Sequence, residues 1–364
     1  MACALALGCP LVPDPMPEGP GFTAVDLRPL SEGEGTGAYC VNDAGTIVGE
    51  SGSWPVWWDG DGAPTPFPIL DGCSGGRAIS INAAGLVVGS LYVGEHLRPV
   101  YWRPDGRVFA LELPDGAVSG TACRVNARGS VLGNVMWPGY RWRALRWEPG
   151  GEAVELDALP GDGETQGHDL NGLDEVVGSA KNGTGTRTAV RWTAEGKISK
   201  LPPPRRATAC GITDSGAILG DGVVWNRDGG TVLLTGDPEF SAGQLVRITG
   251  RGVAIGWGVT ADRRGTCARW DPDGRPTVLR PLPSDDATTC FDIDEAGTVV
   301  GESAGQGTVR PVRWDADATP HPLPSPAGLT AIVAQHINAS GTVIIGYGFA
   351  AGSSTYRGIA WFRS

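Results

Sequence analysis

Ala78-Ile79-Ser80-Ile81-Asn82-Ala83-Ala84-Gly85-Leu86-Val87-Val88-Gly89-Ser90, followed by Trp102, is the stretch that decides the fold. An aliphatic residue precedes a short polar one, a glycine stands three places later, an aliphatic run ends in a second glycine, and a tryptophan closes the unit. The phrase recurs from Asn42 to Gly49, Asn126 to Gly133, Asn171 to Gly178, Thr213 to Gly220, Thr249 to Gly256, Asp294 to Gly301 and Asn338 to Gly346. The first residues of these copies, the anchors, fall 40, 44, 45, 42, 36, 45 and 44 positions apart. A period of roughly 40–45 residues made of short strands is the mark of a propeller blade.

Each copy divides into four predicted strands. Strand A ends in the aliphatic residue before the anchor. The anchor and the glycine three places on suit a type I turn, because a short side chain there bonds nearby backbone. Only the fourth copy departs, with Asn171-Gly172-Leu173-Asp174. Strand B is the apolar run, buried on both faces. The glycine after it is expected where another backbone approaches closely or a bulge forms. Strand C carries the tryptophan: Trp58, Trp102, Trp147, Trp192, Trp225, Trp270, Trp314 or Trp361. A second turn, as in Pro104-Asp105-Gly106, leads to strand D, expected over Val108–Leu113 and Thr277–Leu282.

The last copy stops at Ser364 without a strand D, and the chain opens with an unassigned one at Phe22–Leu30. Phe22–Leu30 is therefore expected to complete the last blade. The sequence predicts an all-β fold, an eight-bladed β-propeller of four-stranded antiparallel blades. It forms one domain over residues 22–364, and radial closure hides the sheet edges.

The repeat phrase with its tryptophan resembles the bacterial HAF-repeat ("probable extracellular repeat") family, and Leu159-Pro160-Gly161 is similar to that family's Leu-Pro-Gly-Gly turn. The likeness runs from Phe22 onward. It implies a secreted or envelope-associated propeller without an assigned activity. The chain departs from the family in lacking His-Ala-Phe before most of its tryptophans.

Composition narrows the partners. The 364 residues carry a net charge of −11, which argues against nucleic acid and disfavours an anionic membrane surface. Eight cysteines form no C-x-x-C pair and no histidine stands at zinc spacing, so neither a metal nor a cofactor is expected. Cys123 and Cys210 hold the same place in two non-adjacent copies and read as small core residues, whereas Cys267 and Cys290 fall in neighbouring copies and could meet. Residues 1–21 read as a flexible tail or the remnant of an export signal. Leu7-Gly8-Cys9 resembles a lipoprotein cleavage box, which makes Cys9 a candidate lipid anchor and the cell envelope the expected location. No apolar run approaches a membrane span, and a monomer is expected.

Two surfaces are candidate sites. The A–B and C–D turns share one rim, and the B–C and D–A connections the other. From second glycine to tryptophan the chain takes 9, 13, 14, 14, 5, 14, 13 and 15 residues, so the second rim is the irregular one. Variable loops on a rigid frame are where binding is usually placed. Trp54, Trp57, Tyr92, Trp137, Tyr140, Trp142, Trp257, Tyr347 and Phe349 fall there, with Tyr356 beside them; their alternative role is to pack the loops themselves. The second candidate is the central channel. Two residues before each anchor stand Cys40, Ser80, Arg124, Asp169, Gly211, Arg247, Asp292 and His336. Arg124 with Asp169, and Arg247 with Asp292, read as inter-blade ion pairs, or with His168 and His336 as a polar ligand site.

No residue reads as catalytic from motif alone. Gly301-Glu302-Ser303-Ala304-Gly305 matches G-x-S-x-G, but a nucleophile elbow needs a strand–turn–helix. Repeat grammar explains it, since Gly49-Glu50-Ser51 occupies the same place. The leading expectation is a non-catalytic propeller presenting its aromatic rim to a protein or glycan. The alternative is an enzyme of lyase, hydrolase or cyclase type with a polar site at the channel mouth.

Overall fold

The structure is a computed structural model. It describes residues 21–161, 163–181, 185–202, 208–220, 222–234, 240–260 and 264–364, with only the backbone over 240–244. The candidate anchor Cys9 lies outside the described residues. Among the described residues, thirty-two strands form eight four-stranded antiparallel sheets, seven of them in simple chain order. The eighth takes its outer strand from Phe22–Asp26, paired with Tyr356–Arg363, as the ring-closure reading expects. No helix among the described residues is long and apolar enough to cross a membrane.

The outer strands are shorter than expected: Phe22–Asp26 rather than Phe22–Leu30, Val108–Ala110 rather than Val108–Leu113, and Pro276–Leu279 rather than Thr277–Leu282. The reason is the tryptophan of the next blade. All eight blade tryptophans are fully buried. Among the described residues, Trp58, Trp102, Trp147, Trp192, Trp225, Trp314 and Trp361 donate Nε1–H to a main-chain carbonyl just past strand D of the preceding blade, as in Trp58 to Arg28 (2.9 Å), Trp147 to Glu112 (2.7 Å) and Trp192 to Asp157 (2.8 Å). The carbonyl past the strand end is turned toward that indole rather than along the ladder.

The anchors tie the inner ends of the blades. The Oδ1 of Asn42 accepts the Thr46 amide while its Nδ2 donates to the Asn82 carbonyl of the next blade. Asn82, Asn126 and Asn171 repeat the stitch onto Asn126, Asn171 and Thr213, and Asn338 closes the ring onto Asn42. Thr213, Thr249 and Asp294 satisfy their own turns but have no amide to donate onward. In the fourth blade Asp174 takes the left-handed backbone (φ 64°) that glycine supplies elsewhere. Its carboxylate there meets Asn126 and Arg128 of the third blade.

The second glycine of each copy answers a bulge. In each of the eight strands A the register slips beside the residue two before the anchor, for example between Ala122 and Arg124 and between Gly167 and Asp169. The slip presses strand A onto strand B: a Cβ on Gly178 would stand 1.9 Å from the Gln166 carbonyl oxygen, and one on Gly89 1.9 Å from that of Arg77. Gly178→Ala is therefore expected to cost about 1–3 kcal/mol by overpacking, read as a lower urea midpoint. A midpoint equal to wild type would show that the bulge relaxes freely.

Cys267 and Cys290 do meet. Both are fully buried in one core cluster and unbridged, and they hydrogen-bond across blades six and seven. Burial pushes the Cys267 thiol well above its ordinary value, which marks an inert thiol.

Candidate functional site

The channel belt sits one residue from the end of strand A, nearer the uniform A–B rim than the irregular one. Arg247 donates Nε–H to Asp292 Oδ1 at 2.8 Å, and His336 Nδ1 lies 3.4 Å from Oδ2. The same carboxylate accepts the amides of Ile293 (3.0 Å) and Ile337 (3.2 Å), the latter from the next blade. Burial alone would push the Asp292 carboxyl up; Arg247 first, then His336, outweigh it and hold it well below the usual carboxylate range. Asp292, reinforced by Asp169 and Cys40, raises Arg247 in turn. Asp169 repeats the pattern more loosely, 3.6 Å from Arg124 Nε and accepting the Ile212 amide at 3.0 Å. Burial pulls His168 below its ordinary value, and its Nδ1–H donates to the Ala209 carbonyl. Every acid of the belt is thus spent on a neighbouring blade. The ion-pair reading of Arg124, Asp169, Arg247 and Asp292 fits this geometry better than the ligand-site reading.

The rim aromatics do not converge. Trp57 packs into the core between blades one and two with Phe67, Ile69 and Leu70. Trp137 packs into the next core and donates Nε1–H to the Asp115 carbonyl. Tyr140 projects from a turn at 79% exposure, and Trp54 and Trp257 are exposed on blades one and six. Trp142 is half-buried on blade three. Tyr347 and Phe349 of the rim set form a ring pair, edge-on at 6.0 Å. Those two line a pocket of about 290 Å³ with Tyr39, Gln335 and Tyr356, between the last blade and the first.

Beside that pocket lies a group the sequence did not single out. Glu50 is the last residue but one of strand B of the first blade, Ile47–Ser51, with its side chain only 3% exposed. The hydroxyls of Tyr39 and Tyr356 donate to its Oε1 at 2.5 and 3.2 Å, and Arg77 of the second blade places Nε 2.6 Å from Oε2. Tyr39 comes to Glu50 because it is the extra residue of the strand A bulge, between Ala38 and Cys40. Tyr356 opens strand C of the last blade, so ring closure itself brings the second tyrosine. Burial, then Glu50, push both phenols above their ordinary value, Tyr39 furthest, so both keep their protons. Burial works against the Arg77 cation, but Glu50, Tyr39 and Tyr92 outweigh it and raise it. Arg77 also lines a second pocket of about 210 Å³ with Ser90, Tyr92, Leu97 and Cys123. The buried carboxylate thus stands behind both pockets on the irregular rim: its partners Tyr39 and Tyr356 line one and its partner Arg77 the other.

No family model matches the chain, and neither does any curated protein. Solved structures share its architecture. The dipeptidyl peptidase 4 of Porphyromonas gingivalis is 13% identical with a TM-score of 0.57, over 93% of this chain and 59% of that one. One of two studied prolyl endopeptidases gives 10% and 0.55, over 88% and 55%. The oligogalacturonate lyase of Vibrio parahaemolyticus gives 8% and 0.53, over 94% and 96%. At such identities the likeness shows the propeller fold. These neighbours are all enzymes, which corrects the expectation of a non-catalytic binding propeller in favour of its enzymatic alternative.

Proposed function

We propose that the protein is an enzyme of the lyase type whose active site is the Glu50–Tyr39–Tyr356–Arg77 cluster. The observation that carries this reading is a buried carboxylate receiving two protonated phenols at the edge of a pocket. A tyrosine so placed can take a proton from substrate carbon onto Oη while passing its own proton to Glu50. The electron pair left on carbon is drawn into an adjacent carbonyl or carboxylate oxygen, which Arg77 stabilises, and then expels a β-substituent as the double bond forms. The leaving group takes a proton from the Tyr356 hydroxyl, which recovers its own from Glu50. Tyr356, 40% exposed, is the hydroxyl open to substrate, and Tyr39 holds the carboxylate in place.

The full chain would be incubated with a panel of β-substituted carboxylic acids, with product followed by the absorbance of the new conjugated double bond. Glu50→Gln and Tyr356→Phe are expected to lower kcat at least ~100-fold, the common worth of a positioned acid–base group; the urea midpoint should stay close to wild type in Tyr356→Phe and fall in Glu50→Gln, which breaks the ion pair with Arg77. Turnover that survives Glu50→Gln would overturn the assignment.

We also propose membership of the HAF-repeat propellers and export to the envelope through residues 1–21. The repeat phrase and the Leu7-Gly8-Cys9 box support this.

A further inference from the structure

The two pockets flanking Glu50 differ in chemistry. One has four rings, Tyr39, Tyr347, Phe349 and Tyr356, with the Gln335 amide; the other has the half-exposed Arg77, with Ser90 and Tyr92. At about 290 and 210 Å³ each lies at or below the lower end of ligand pockets, roughly 300 Å³. Each therefore suits one group of a ligand rather than a whole one. Arg77 spends Nε on Glu50, and a guanidinium carries four further N–H donors in a fork suited to a carboxylate. Aromatic walls favour a flat or apolar ring, by offset stacking or edge contact.

Resting on the lyase reading, we infer that the substrate is an amphipathic acid. Its carboxylate sits against Arg77, and a ring-bearing substituent lies on Tyr347, Phe349 and Tyr356. The carbon between them is thereby held over the Tyr356 hydroxyl. Substrates without a ring, or with the acid amidated, leave one pocket to water.

Titration calorimetry on the full chain tests this with three probes: 3-phenylpropionate, propionate and 3-phenylpropionamide. The ring-bearing acid is expected to bind about tenfold or more tightly than either other probe, one tenfold step being 1.4 kcal/mol. Phe349→Ala should erase the preference for the ring and keep that for the charge, and Arg77→Gln the reverse. The probe comparison on wild type stands even where Arg77→Gln, which bares Glu50, folds poorly. Equal binding of the three probes overturns the inference, as does a ring preference untouched by Phe349→Ala. Discrimination without turnover of any β-substituted acid sinks the lyase reading alone. Turnover indifferent to the ring sinks the substrate class alone.

Discussion

Trp192→Ala is expected to destabilise the propeller by about 3–5 kcal/mol, the range for deleting a fully buried large aromatic. Trp192 fills the seam between blades three and four, against Leu132, Ala144, Leu156, Leu159 and Val176. Its removal leaves a cavity with walls on two sheets, and neither sheet can shift inward without breaking its own ladder. It also orphans the Asp157 carbonyl, whose partner is the indole Nε1–H at 2.8 Å. Trp192→Phe separates the two effects: it refills most of the cavity and is expected to lose only about 1–2 kcal/mol. Urea unfolding of the pair reads both. If the two variants lost the same amount, the hydrogen bond rather than the packing would hold the seam.

Asp292→Ala is expected to cost about 3 kcal/mol, near the low end for breaking a buried ion pair. The low end applies because Arg247 keeps about a third of its side chain open to the channel and retains some hydration. Two amides, Ile293 and Ile337, also lose their acceptor. The pair carries a pH signature. A carboxyl whose folded pKa lies below its unfolded value, about 3.9, contributes stability that is complete above that value. The contribution is lost as pH falls below it towards the folded pKa. The gap in urea midpoint between wild type and Asp292→Asn should therefore be widest at pH 5–7 and narrow below about pH 4. A gap independent of pH would mean that the charge on Asp292 contributes nothing.

Much of the architecture could be read from the chain because a propeller repeats one solution eight times. Period, tryptophan and missing last strand together determine blade number and closure. The anchor's turn was legible, but its second bond was not: Asn82 Nδ2 reaches the Asn126 carbonyl only once blades stand side by side. The bulge was equally hidden, since its one trace in the sequence is the glycine it crowds. The site escaped for the opposite reason. Glu50 stands where Glu302 stands in the seventh copy, so the repeat itself explained it away. Its partners Tyr39, Arg77 and Tyr356 come from three blades and share no spacing. A sharper signal was present in Tyr39, the one tyrosine three places before an anchor. Repeat grammar finds what copies have in common, and chemistry sits where they differ.

The joining of the chain's two ends also governs how the molecule can be held. Phe22 opens an outer strand and Arg363 ends its neighbour, with the Ser364 amide bonded to the Gly21 carbonyl at 2.8 Å. Both ends leave from the perimeter, on the face of the A–B and C–D turns. Glu50 and its two pockets open on the other face. An immobilising tag joined directly at Gly21 or Ser364 would hold the disc by its rim and underside. The pockets would then point away from the surface, accessible to whatever diffuses above it.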